Sequence, residues 1–156
     1  MSAYEAFFRR HAVRAVRLAA LLGAEVPEDI AQEAFCLVFA ARTRLRAVDD
    51  SAAPYLNRTV VNLGRSRGRR DVVARRTPPA VQVVDSAERQ AAHRADLRRV
   101  TDAVAGLPAR QREAVVLRYW LDQPYAEIAA MDVRIGTAKS SVSRALAALG
   151  TLLEEE

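Results

Sequence analysis

Residues 125–146 read YAEIAAMDVRIGTAKSSVSRAL, two short helical patterns set against each other around MDVRIG. The first, over 124–131, spans barely two turns. A helix that short does not persist alone, so its neighbours must hold it, with Ile128 pointing inward. In the second, Ile135, Ala138, Val142, Ala145, Leu146 and Leu149 recur at helical spacing and are expected to face a core. Thr137, Lys139, Ser140, Ser143 and Arg144 then face outward, with Arg134 just ahead of them. A bracing helix followed by one that carries short hydroxyl donors and cations is what a helix-turn-helix needs, because the DNA major groove is about as wide as a helix. A plain helical hairpin with a solvated polar face fits the same pattern.

Upstream of this pair the periodicity stays helical. Residues 88–107, ERQAAHRADLRRVTDAVAGL, place Ala91, Ala95, Leu97, Val100 and Val104 on an apolar stripe, closed by Gly106-Leu107-Pro108. Pro108 opens the next helix, whose run ARQREAVVLRYWL is expected to bury Ala114, Val115, Val116, Leu117 and Trp120 in some combination. Four helices are thus expected after residue 87. Before them, 77–86 read TPPAVQVVDS, with a double proline and no helical period, the composition of a linker.

The first half is helical as well. Over 4–22, Phe7, Phe8, Ala12, Ala15, Leu18, Ala19 and Leu22 share one face, and Gly23 stands where a helix ends. A second helix opens at Pro27-Glu28-Asp29 and is expected to run to about Arg44, with Ile30, Ala34, Leu37, Val38 and Ala41 inward. Asp29, Gln32, Glu33 and Cys36 form a separate stripe, free for solvent or a partner. A third helix begins near Pro54 and extends toward Arg76. It turns Leu56, Val60 and Leu63 inward and Asn57, Arg58, Asn62, Arg65 and Arg69 to the other side. The fold class expected is all-α: two small helical domains joined by a flexible linker, the second ending in a helix-turn-helix. The boundaries fall at 1–76, 77–90 and 91–156.

Charge is distributed unevenly over these parts. Residues 1–76 hold 14 arginines against 8 acids, whereas 77–156 hold 10 basic and 11 acidic residues, Lys139 being the only lysine of the chain. A net charge of +5 favours an anionic partner, nucleic acid ahead of a membrane surface. No run of apolar residues is long enough for a membrane helix, and the start MSAYEAFFRR lacks the order of a signal peptide. A cytoplasmic protein with no membrane attachment is the expectation. One cysteine and two distant histidines, His11 and His93, give no ligand cluster, so no metal and no cofactor is expected. Cys36 has no cationic or histidine neighbour in its helix, and no nucleophile-and-base arrangement recurs. An enzyme is therefore the weakest function class.

Three segments, in order, carry a family resemblance. LPARQREAVVLRYW, YAEIA and IGTAKSSVSRALAAL together resemble the promoter-reading C-terminal domain of the extracytoplasmic-function group of bacterial sigma-70-type RNA polymerase sigma factors. EDIAQEAFCLVF resembles the segment of those factors that docks on the polymerase clamp, and PYLNRTVVNLGRSRGRR resembles the one that opens and reads the upstream promoter element. The chain departs from the family pattern in three places. The turn between the last two helices is one residue shorter, with Asp132 near the usual glycine. Pro124 replaces a Ser or Thr N-cap, and Ser141 stands where a basic residue is common.

The resemblance implies a sigma factor that binds core RNA polymerase and directs promoter recognition and opening. Asp29, Gln32, Glu33 and Cys36 would contact polymerase. Asn57, Arg58, Asn62, Arg65 and Arg69 would contact the minus ten region, and Arg134, Thr137, Lys139, Ser140, Ser143 and Arg144 the minus thirty-five element. The family often has an anti-sigma factor as a further partner, though no residue here identifies one. A free-standing helix-turn-helix regulator, with a ligand-binding or dimerising N-terminal domain, is the alternative; it would need no polymerase.

Overall fold

Gly23 ends the first helix as its position predicts. Its φ of 85° is one that side chains rarely adopt. Its N–H donates to the Ala20 carbonyl and that of Ala24 to Ala19, which closes the end of α1 (Ala3–Leu21). At the other end Ser2 Oγ accepts from the Glu5 N–H at 3.1 Å. The structure is a computed structural model that describes residues 2–45, 47–70, 89–130 and 134–154; the side chains of 68–70, 89–94, 97 and 130 lie outside that description. Every element among the described residues is helical, and the chain divides into two units, Met1–Val81 and Gln82–Glu156. The all-α architecture of two helical domains is the one expected.

In the first unit α1 packs on α2 (Pro27–Ala40) and on α3 (Ala53–Arg70), and α2 packs on α3. Phe7, Leu18, Ile30, Phe35, Val38, Leu56 and Val60 make the core. Complete burial of a leucine such as Leu18 stabilises by about 1.5–3 kcal/mol relative to exposure. The Tyr4 hydroxyl donates to the Phe35 carbonyl at 2.9 Å; burial, and then the nearby Cys36, push its phenol pKa up. A 3₁₀ turn, Asp50–Ala52, leads into α3, and Asp49 caps it by accepting from the Ser51 N–H at 2.9 Å. Asp50 accepts from Arg10 Nη1 at 2.7 Å and pairs with His11 Nε2 at 3.0 Å, which ties α1 to the start of α3.

In the second unit α4 (Arg89–Ala105), α5 (Ala109–Val115) and α6 (Tyr125–Ala130) all abut α7 (Ile135–Glu154) or its neighbours. Arg112 on α5 donates to the carbonyls of Val104, Ala105 and Leu107, at and just beyond the end of α4. Burial lowers its pKa. Beyond α5 the helix widens to π type over Val116–Trp120, with the Leu121 N–H donating to Val116, and Asp122 then turns the chain with φ 51°. Pro124 supplies its carbonyl to the N–H groups of Glu127 and Ile128, so α6 opens without a side-chain acceptor from that position.

Several expectations need correction. Helix α2 stops at Ala40, short of Arg44, because the N–H and guanidinium of Arg42 both turn back to the Phe39 carbonyl. Phe8, Leu37, Val100, Trp120, Ile135 and Leu146 are exposed instead of inward. Leu37 and Leu146 sit at the edge of their stripes, where the opposing helix decides burial and periodicity does not, and Trp120 lies in the π turn beyond α5. Leu63, Leu22, Ala12 and Leu149 are half-buried. Helix α4 opens at Arg89, so the last two residues of the expected 77–90 linker are helical, while 77–88 lie outside the described residues. The helix expected toward Arg76 is described as far as Arg70. Asp132 and the short turn at 131–133 also lie outside the described residues.

Candidate polymerase and promoter interfaces

On α2 the inward stripe Ile30, Ala34, Val38 leaves the other side of the helix to solvent. Asp29, Gln32 and Cys36 are exposed there, one turn apart along the helix. Glu33 is half-buried and engaged: Arg67 Nη2 of α3 donates to its carboxylate, a pairing across 34 residues that helical periodicity does not reveal. The same side continues to Phe39, 44% exposed, with the Arg42 guanidinium 4.0 Å from its ring centroid. Phe39 was hidden in the sequence by the apolar run around it. An exposed aromatic one turn beyond Cys36 joins this candidate surface.

Helix α3 has the complementary division. Leu56, Val60 and Val61 are buried, whereas Arg58 and Asn62 are exposed one turn apart and Asn57 and Arg65 are half-exposed beside them. The side chain of Arg69 lies outside the described residues. Amide groups and guanidinium groups thus alternate on one surface. That suits phosphate contact and base-edge contact together, where cations alone would suit phosphate only.

On α7, Ala138, Val142 and Ala145 are buried against the unit. Arg134, Thr137, Lys139, Ser143 and Arg144 are exposed, and Ser140 is half-exposed because its hydroxyl donates to the Thr137 carbonyl at 3.1 Å. The Lys139 ammonium lies 5.8 Å from the ring centroid of Tyr125, and Arg118 lies 5.1 Å from the same ring. That ring joins α6 to α7 across the turn. Arg134 contributes its carbonyl to the first turn of α7, accepting from the Ala138 N–H at 2.9 Å. Among the described residues no three potential metal ligands come together. No helix of the described residues is long and apolar enough to cross a membrane.

The family model described as sigma-70, region 4 matches residues 97–149, from within α4 through α5 and α6 to most of α7. The RNA polymerase sigma-E factor of Streptomyces antibioticus is 34% identical over 138 residues, covering 83% of this chain and 74% of that protein. The chain belongs to the extracytoplasmic-function sigma factors. A solved structure agrees over both units: the sigma factor RpoE in complex with the anti-sigma factor NepR from Bartonella quintana. It superposes with a TM-score of 0.71 at 25% identity, over 97% of this chain and 96% of the other. This sigma factor therefore binds core RNA polymerase and directs promoter recognition and opening at transcription initiation.

Proposed function

We propose that the two units divide the work of the sigma factor, residues 1–76 docking on polymerase and reading the minus ten region, residues 91–156 reading the minus thirty-five element. The observation that carries this is the split of α7: its small buried residues fix it to its unit while Thr137, Lys139, Ser143 and Arg144 remain outside. Asp29, Gln32, Glu33 and Cys36, extended to Phe39, form the docking face. Asn57, Arg58, Asn62, Arg65 and Arg69 contact the minus ten region, while Arg134 and Ser140 accompany the four exposed residues of α7 on the distal element. The factor performs no chemistry itself; it works in the cytoplasm by lending polymerase promoter selectivity. An anti-sigma factor is a further partner, by analogy with the Bartonella complex.

Run-off transcription with reconstituted holoenzyme tests the division. Asn62→Ala should lower initiation more than Lys139→Ala or Arg144→Ala, because the sequence ahead of α7 is one residue shorter than the family pattern. Loss of a base contact by either α7 residue should cost about 1–3 kcal/mol of discrimination at one promoter position, whereas loss of a phosphate contact should weaken all sequences alike. If both α7 variants are silent on every promoter, α6 and α7 form a plain hairpin.

A further inference from the structure

We propose that Ile135 is a specificity-determining residue, its side chain reading the 5-methyl group of a thymine in the distal promoter element; this rests on α7 being the recognition helix. Three features converge on it. Ile135 is 48% exposed at the opening of α7, while the inward positions of the helix are taken by Ala138, Val142 and Ala145. It lies one turn before Lys139, on the same side of the helix, so whatever Lys139 meets in a groove lies within reach of Ile135 as well. Its neighbour Gly136 is bare: a Cβ there would meet nothing within 4 Å, so the fold does not require a glycine, which is among the poorest helix formers. A helix opening without a side chain at 136 lets base edges come close to the backbone.

Single exposed apolar residues are common on protein surfaces and by themselves signify nothing. What distinguishes Ile135 is its company: Lys139 stands one turn on along the same side and Arg134 precedes it at the helix opening, both exposed and suited to phosphates and base edges. In the major groove the thymine methyl is the one apolar feature that a base pair presents, and apolar side chains recognise it. An aliphatic side chain at the leading end of the helix therefore adds thymine selectivity that the hydroxyls and cations do not supply.

The test uses holoenzyme and a duplex promoter that the holoenzyme selects from a pool randomised across the distal element. Each thymine of that element is replaced in turn by uracil, which lacks only the methyl group. Removing one buried methyl is worth about fourfold in affinity, so the wild-type factor should lose about fourfold at one position. Ile135→Ala should bind the thymine duplex as weakly as wild type binds the uracil one, and should be indifferent to uracil at that position. Ile135→Val, which keeps a branched methyl pair, should retain part of the preference. Full thymine preference in Ile135→Ala overturns the proposal, as does a wild-type factor with no uracil-sensitive position. Lys139→Ala separates the two levels. If it weakens distal-element binding while uracil has no effect, the methyl contact alone fails. If Lys139→Ala and Ile135→Ala both leave that binding intact, the recognition helix fails and the inference with it.

Discussion

Glu33 is the residue whose role folding changes most. In sequence it belongs with Asp29 and Gln32 on a polar stripe, yet in the structure it is paired with Arg67 while those two face solvent. The three should therefore separate on mutation. Asp29→Ala and Gln32→Ala should weaken binding to core polymerase in a co-elution assay and leave the melting temperature unchanged. Glu33→Ala should also lower stability, by up to about 1 kcal/mol for a partly exposed pair, and a denaturant melt combined with Arg67→Ala should show the two losses to be non-additive. Additive losses would mean that the pair contributes nothing. A stripe of like character was legible from spacing alone, but a partner 34 residues away was not, because spacing reports which face a residue occupies and not what stands opposite.

Between elements, the tie from α1 to the 3₁₀ turn at Asp50 has a pH dependence whose sign follows from its partners. The hydrogen bonds from Arg10 and then His11 hold the Asp50 carboxyl below its ordinary value of 3.8. A carboxyl with a depressed folded pKa lends stability above its unfolded value and loses it as pH falls through the folded one. The advantage of wild type over Asp50→Asn in chemical denaturation should thus be present above 3.8 and fade as the pH falls below it. An advantage that persists undiminished at pH values far below 3.8 would contradict the clamp. The helices themselves were legible, since Ile30, Ala34 and Val38, or Ala138, Val142 and Ala145, mark an inward stripe that packing then respects. The stripe edges were not: Leu37 and Leu146 are apolar yet exposed, as is Ile135 at the opening of α7. Nor was the π turn legible, because AVVLRYW is apolar almost throughout and contains no glycine or proline to mark a change of winding. The candidate interfaces share this pattern: exposed faces were foreseeable, whereas Phe39 and Arg67 required the fold.

For the whole molecule, the arginine excess of the first half should dominate the ionic response. If Arg58 and Arg65 neutralise phosphates, each replacement by alanine should make the plot of log affinity against log salt shallower by about one unit for holoenzyme on promoter DNA. An unchanged slope would leave those arginines in solvent. The second half differs in kind, with acids and bases nearly balanced and a single lysine, exposed beside the Tyr125 ring. That solitary ammonium is a ready chemical handle. An amine-reactive ester can acylate no other lysine of the chain, so apart from the terminal amine the label goes to Lys139. Promoter DNA added to the holoenzyme should slow that acylation if the groove encloses the ammonium, and peptide mass spectrometry would read the protection from unmodified wild-type protein.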